Sequence, residues 1–305
     1  MFHVYVPATT ANIGAGFDAL GMALDFCLKA EVTPSTGVGE FDITIEGHGE
    51  NTLPKNKEHL LYKAYCTVFE ALGLPVPSLK IHIYNTIPLA RGMGSSSSVI
   101  VMGIMIGHHL SGERLSQDDL LQLAFQMEGH PDNIAPALLG GFVASGVAGG
   151  KARCLKTPIS PSLRCKLLIP SYELVTKTAR EALPKTIDFH HAVENVGFAS
   201  MVVASMYQND LSVFGAFLQD HLHQPYRAHL VKGFLSVQEI APRLGFLGAC
   251  ISGAGPTMIV FYEDGKPLDF HPLQNILQKI EIENQCTFQI LDCGFSNQGA
   301  IIVKE

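Results

Sequence analysis

A chain of two α+β units is the fold this sequence predicts, and three observations predict it. Its 305 residues exceed the size at which one hydrophobic core stops growing. An apolar share of 47% suffices to bury a core in each unit. The second half reads as strand, helices, strand, helix and strand, the β-α-α-β-α-β order of a split-βαβ layer sheet.

The elements follow in order. Alternation over residues 2–6 predicts a strand, and residues 8–21 then form a loop holding Asn12 and Asp18 among glycines. Such a loop suits close ligand approach, and it reads equally as a turn between strands. Residues 23–33 and 41–46 predict strands, residues 58–72 an amphipathic helix, and residues 79–84 a cleanly alternating strand.

That strand feeds the central feature: Pro88, Leu89, Ala90, Arg91, Gly92, Met93, Gly94, Ser95, Ser96, Ser97 and Ser98, running into an apolar helix. Glycines free the backbone for a tight turn, and unpaired amides at the helix start converge on an anion, as in a phosphate cradle. The P-loop would need Lys followed by Ser or Thr after its last glycine, and the dinucleotide fingerprint a third glycine where Ser97 stands. Neither fits, and a bare turn with Ser95 as its cap reads as well.

Ser116 predicts the cap of a helix ending at Glu128 and Gly129, after which His130, Pro131, Asp132 and Asn133 cluster at the entry of the next. Ordinary capping needs one carboxylate and no histidine. Residues 140–145 return as a strand, residues 147–151 as a hairpin turn, and prolines 158 and 161 set a soft boundary near residues 155–160. Residues 165–169 predict a strand, and residues 189–206, 211–218 and 225–240 helices. A glycine-rich turn at residues 252–256 precedes a strand at 257–262. A helix at 273–283 and strands at 288–291 and 300–303 close the chain.

Charge narrows the partners. A net charge of −7, an isoelectric point near 6.0 and no basic stripe exclude nucleic acid and an anionic membrane as main partners, leaving a small molecule. The first seven residues carry no basic stretch or long apolar run, and the longest apolar run, residues 99–107, falls short of the roughly 20 a bilayer needs. Seven cysteines without a C-x-x-C pair suit free thiols, so a cytoplasmic protein is expected. Three histidines, His221, His223 and His229, offer a metal site only weakly, because the nearest two stand two apart.

Residues 88–96, the turn at 252–256 and the loop at 7–18 resemble, in order along the whole chain, the three motifs of the GHMP small-molecule kinases. That superfamily includes the galactokinases, homoserine kinases, mevalonate kinases and phosphomevalonate kinases. Residues 7–18 and 128–133 are most similar to the homoserine kinase family, the Gly-His-Pro-Asp-Asn segment being the more specific sign. The resemblance implies an N-terminal ATP-binding unit of ribosomal-S5-domain-2-like α/β fold over residues 1–157, and a ferredoxin-like unit over residues 158–305.

It also implies transfer of phosphate from ATP to the hydroxyl of L-homoserine, in threonine biosynthesis, by a cytoplasmic homodimer. Asn12, Asp18, His130, Asp132, Thr176, Arg180 and Arg227 match the family's substrate positions, with Asp132, Asn133 and Arg180 at the chemistry. Residues 88–98 take the nucleotide, and Ser96 with Glu128 the Mg²⁺. The charges suit an amino acid: the two arginines can fork a carboxylate, and Asp18 or Asp132 can accept from an ammonium. In plainer readings Arg180 pairs with Glu181 and Arg227 is solvated. Asn133 cannot accept a proton, so it is expected to orient the hydroxyl while transfer proceeds with little base assistance. Two alternatives stay open: another alcohol such as mevalonate or shikimate as acceptor, and a non-catalytic nucleotide-binding paralogue.

Overall fold

Apolar residues that alternate along the first strand pack beneath a sheet built from both ends of the chain. The structure, a computed structural model, describes residues 1–304, without the side chains of residues 34–37. Strands β1 (Phe2–Ala11), β2 (Leu20–Val38) and β3 (Phe41–Gly47) lead into helix α1 (Leu60–Leu72), strand β4 (Pro77–Asn85), and helices α2 (Ser95–Leu110), α3 (Gln117–Glu128) and α4 (Pro131–Leu139). A hairpin of β5 (Phe142–Ala148) and β6 (Lys151–Thr157) follows. Then come β7 (Leu163–Pro170), α5 (Thr176–Glu181), α6 (Phe189–Gln208), α7 (Leu211–Ala216), α8 (Gln224–Arg227) and α9 (Phe234–Ile240). The chain closes with β8 (Gly248–Ile251), β9 (Met258–Glu263), α10 (His271–Asn284), β10 (Phe288–Cys293) and β11 (Ile301–Lys304).

The first sheet runs β11-β1-β2-β4-β3, with β5 and β6 joined to the far end of β2. Here the last strand differs from the expectation that residues 158–305 stand apart: β11 pairs antiparallel with β1 and completes the first sheet. The second sheet runs β10-β7-β9-β8, so its four strands in chain order take the antiparallel 4-1-3-2 arrangement of a ferredoxin-like layer. Strand β8 is absent from the expectation drawn from the sequence. Its four residues are too few to show a period, yet they turn β-α-α-β-α-β into the β-α-β-β-α-β order the layer requires.

Two further differences have local causes. Strand β1 continues past Pro7 to Ala11 because a shift in register between Pro7 and Thr9 absorbs the proline, shortening the loop expected at 8–21. The helix expected at 225–240 breaks into α8, a short 3₁₀ turn and α9, where Gly233 takes a φ of 81°. Helix α2 is buried on almost every side, and it approaches α1 so closely that a Cβ on Gly103 would lie 2.3 Å from the Leu61 carbonyl. Burial of Val99, Ile100, Met102 and Ile104, each stabilising by about 1.5–3 kcal/mol, fixes the helix whose start faces the cleft. No helix among the described residues is long and apolar enough to cross a membrane.

Candidate active site

Gly94 decides how the central helix begins. It occupies the N-cap of α2 at φ 66° and offers no side chain, so Ser95 is not the cap but the first helical residue. The amides of Ser95, Ser96 and Ser97 therefore lack carbonyl partners within the helix, and they open on a cleft those three serines line. Ser95 is therefore not the cap that the plainer reading of the loop gave it.

Three glycine-bearing segments lock together around that opening. The Thr9 amide donates to the Met93 carbonyl at 3.2 Å, and the Gly253 amide to the Ala11 carbonyl at 2.9 Å. The Ser252 hydroxyl donates to the Gly92 carbonyl at 2.6 Å. A Cβ on Gly92, which has φ 75°, would stand 2.1 Å from the Ser252 carbonyl oxygen, so only glycine fits between the loops. Pro88, Ala90, Gly92 and Met93 line the cleft with the serines. Leu89 faces a neighbouring cleft, and Ser98 lies beneath, donating to the Pro7 carbonyl at 2.9 Å. Arg91 turns its guanidinium to the carbonyls of Pro170 and Ser171, each at 2.9 Å, and so ties the loop to the end of β7.

Helix α3 ends at the same opening. Glu128 accepts from the Ser96 hydroxyl at 3.3 Å and from the Ser97 hydroxyl at 3.0 Å. A carboxylate and hydroxyl oxygens beside bare amides form the hard-oxygen set that suits Mg²⁺ shared with phosphates.

The other end of the cleft is charged. Asp18 and Arg180 form a two-pronged pair, with Nη1 3.0 Å and Nη2 2.8 Å from the two carboxylate oxygens. Arg180 thus answers Asp18 rather than Glu181, which lies 3.9 Å from Lys177. Asn12 is spent on the frame: its Oδ1 accepts from the Asp18 amide and its Nδ2 donates to the Gly253 carbonyl, both at 2.8 Å. Arg227 is 1% exposed, not solvated, and donates to the carbonyls of Ala179 at 3.0 Å and Gly253 at 3.3 Å. Burial first, and then the charge of Arg180, lowers its pKa to about 10. A buried cation whose hydrogen-bond partners are two carbonyls and the His223 ring, with no carboxylate bonded to it among the described residues, calls for an anion.

Helix α4 supplies the remaining groups. His130 is its N-cap residue, with Pro131 in the first turn. Asp132 accepts at Oδ1 from the His130 ring at 2.8 Å and the Asn133 amide at 3.1 Å, while its buried Oδ2 has no partner. Burial works against the His130 imidazolium, yet the hydrogen bond to Asp132 and the charges of Asp132, Glu128 and Asp18 raise its pKa. Thr9 donates to Asn133 Oδ1 at 2.8 Å, so the amide's NH₂ end is the one available to the cleft. Thr176, exposed at the start of α5, completes the rim.

All seven residues expected for the substrate line this one cleft, with Asn133 and Glu128. Sequence reasoning missed Thr9, which orients Asn133, and Phe17. The Phe17 ring lies 5.0 Å from the Arg227 guanidinium and 5.6 Å from that of Arg180, and stacks on buried His223 at 5.3 Å. An aromatic residue directly before Asp18 was the available signal.

Comparison with known proteins places the chain in a family. Residues 59–141 match the family model of the GHMP kinases N terminal domain, and residues 202–270 that of the GHMP kinases C terminal domain. The homoserine kinase of Carboxydothermus hydrogenoformans is 42% identical over 87% of this chain and 86% of its own length. That of Moorella thermoacetica is 40% identical over 87% and 88%. The crystal structure of homoserine kinase from Cytophaga hutchinsonii superposes with a TM-score of 0.85 at 30% identity, covering 99% of this chain and 97% of that one. A mevalonate kinase structure, at 17% identity and a TM-score of 0.67, shares the fold.

Proposed function

From the premise that this chain belongs to the homoserine kinase family of the GHMP kinases, we propose how its cleft carries phosphate from ATP to the side-chain hydroxyl of L-homoserine. The product, O-phospho-L-homoserine, serves threonine formation. The carrying observation is that an uncapped helix start and a zwitterion-matched set of charges open on one cleft.

Phosphoryl transfer asks chiefly for positioning and charge neutralisation. The amides of Ser95, Ser96 and Ser97, with the dipole of α2, receive the phosphates where no loop lysine stands. The neighbouring cleft shares Pro88 and Arg91 with the first and adds His48, Gly49 and Leu89, a wall for the nucleoside end. Ser96 and Glu128 would hold Mg²⁺, which would supply charge neutralisation on the phosphates.

At the acceptor end, Arg227 takes the substrate carboxylate with Arg180 beside it, a role supported by the burial of Arg227 and by hydrogen bonds that go to carbonyls and the His223 ring rather than to a carboxylate. Asp18 is already forked by Arg180, so the unpartnered Oδ2 of Asp132 receives the ammonium. Asn133, held by Thr9, orients the hydroxyl for attack with little base assistance. The enzyme works in the cytoplasm as a homodimer, a reading that rests on its family.

A coupled ADP-release assay across homoserine, mevalonate, shikimate and threonine tests the reading, with turnover expected for homoserine. No turnover of any alcohol despite ATP binding would establish a regulatory paralogue instead. Alanine at Asp132 and at Asn133, made separately, tests the roles. If Asp132→Ala alone abolishes kcat with KM intact, Asp132 is the base and the assignment fails.

A further inference from the structure

Outside the cleft, the first turns of α6 meet the turn after α7 in a cluster of side chains that phosphoryl transfer does not use. Glu194 Oε2 lies 3.1 Å from His221 Nε2, and Glu194 Oε1 lies 3.5 Å from His190 Nε2. The ring of His191 stacks on that of His221 with centroids 4.5 Å apart and planes 13° from parallel, so one ring must turn about its Cβ–Cγ bond for both to aim a nitrogen lone pair at one ion. One ligand atom each from His191, Glu194 and His221 falls within 4.8 Å of the others. Sequence spacing points away from a metal because it sets His221 beside His223. The fold separates these two: His223 is fully buried with its Nε2 on the Gly14 carbonyl, while His221 turns outward to α6.

We propose that His191, Glu194 and His221 bind one transition-metal dication of the zinc class. Two imidazoles and a carboxylate are a borderline donor set, three protein ligands that leave a position for water, and they discriminate against Mg²⁺. His191 and Glu194 stand three residues apart on α6, which places them on one helix face, and the partial exposure of all three residues lets an ion enter. The site has a structural consequence. His221 follows Asp220, whose carboxylate accepts from the amides of His223 at 2.8 Å and Gln224 at 2.6 Å and so starts α8, the element that carries Arg227 into the cleft. An ion on His221 clips that turn to α6.

The test is calorimetric titration of the metal-free full chain with Zn²⁺ alone, in excess Mg²⁺ to occupy hard-oxygen sites. About one equivalent of Zn²⁺ binds the wild type. His191→Ala and His221→Ala each weaken it by more than the about 10–100-fold that loss of an outer partner of a metal ligand costs. Co²⁺ gives visible bands of a low-coordinate nitrogen and oxygen site that vanish in either variant. Zn²⁺ raises the thermal midpoint of the wild type and not of the variants. Neither histidine lines the cleft, so kcat without zinc stays at the wild-type value in both, and the outcome is independent of the kinase reading. Zinc binding of undiminished affinity in the double variant would overturn the proposal by moving the ion elsewhere, to Asp18, His130 and Asp132 in particular. A folded wild type that binds no Zn²⁺ would overturn it outright.

Discussion

The two ends of the cleft are made from different parts of the peptide. At the proposed donor end the groups on offer are amides of Ser95, Ser96 and Ser97, and the neighbouring side chains are small or turned away, as in Gly92, Gly94 and Arg91. At the acceptor end they are charged side chains, Asp18, Asp132, Arg180 and Arg227, brought from distant segments. A site made of backbone is sensitive to any added atom and indifferent to most side-chain deletions. A site made of side chains behaves in the opposite way, and its roles can be removed one at a time.

The largest effect expected of that contrast falls on Gly92. In Gly92→Ala the new Cβ would stand 2.1 Å from the Ser252 carbonyl, at a φ of 75° that disfavours any side chain. The loops must part, and kcat/KM falls about 10³-fold, ~4 kcal/mol, with the circular dichroism of a folded chain retained. Ser95→Ala leaves the amide in place and costs less than about threefold. A reversal of this order in steady-state kinetics would break the backbone account.

Arg227 comes next. Replacing this buried cation by methionine in Arg227→Met raises the homoserine KM about 100-fold, ~3 kcal/mol, as expected when a charge-assisted hydrogen bond is removed from a water-poor site. The ATP KM stays near the wild-type value, which separates the two ends. An equal rise in both constants would mean that the charge serves the phosphates instead.

A smaller effect joins the ends. Thr9, on β1 beside the loop, holds Asn133 through the 2.8 Å bond to its Oδ1. Thr9→Val lowers kcat about tenfold, ~1.4 kcal/mol, with both KM values held, because the orienting amide loses its tether. Combined with Asn133→Ala it adds little, since the two act as one unit.

The contrast also explains what could be read in advance. A backbone site must be contiguous, so residues 88–98 stand out in the sequence as a motif, and the apolar helix behind them is recognised with it. The acceptor end joins segments near residues 12, 130, 180 and 227, and composition has no term for that convergence. Only likeness to a family of kinases assembles it beforehand. The Asp18–Arg180 fork, the carbonyls around Arg227 and the platform of Phe17 depend on how the two sheets meet, and no local pattern encodes them. The same holds for β8 and for the return of β11 to the first sheet, where pairing over long separations, not propensity, decides.

The smallest expected effect is one of pH, and it belongs to the acceptor end alone. Burial opposes charge on His130, but the hydrogen bond to Asp132 and the charges of Asp132, Glu128 and Asp18 outweigh it, so the folded pKa lies above the unfolded one. A histidine shifted in that direction contributes stability fully below the unfolded value of about 6.5, and the contribution is lost as pH rises through the folded pKa. His130→Gln keeps a hydrogen-bonding side chain without the titration. Urea unfolding should therefore show the wild type gaining on the variant as pH falls from about 8.5 to about 5.5. Substitution at the donor end, in Ser95→Ala, should leave the pH dependence of stability as it is in the wild type, because Ser95 brings only an amide and a hydroxyl, neither of which titrates in this range. A difference between wild type and His130→Gln that stays flat with pH would show that folding does not raise the pKa of His130, and the account of its partners would fail.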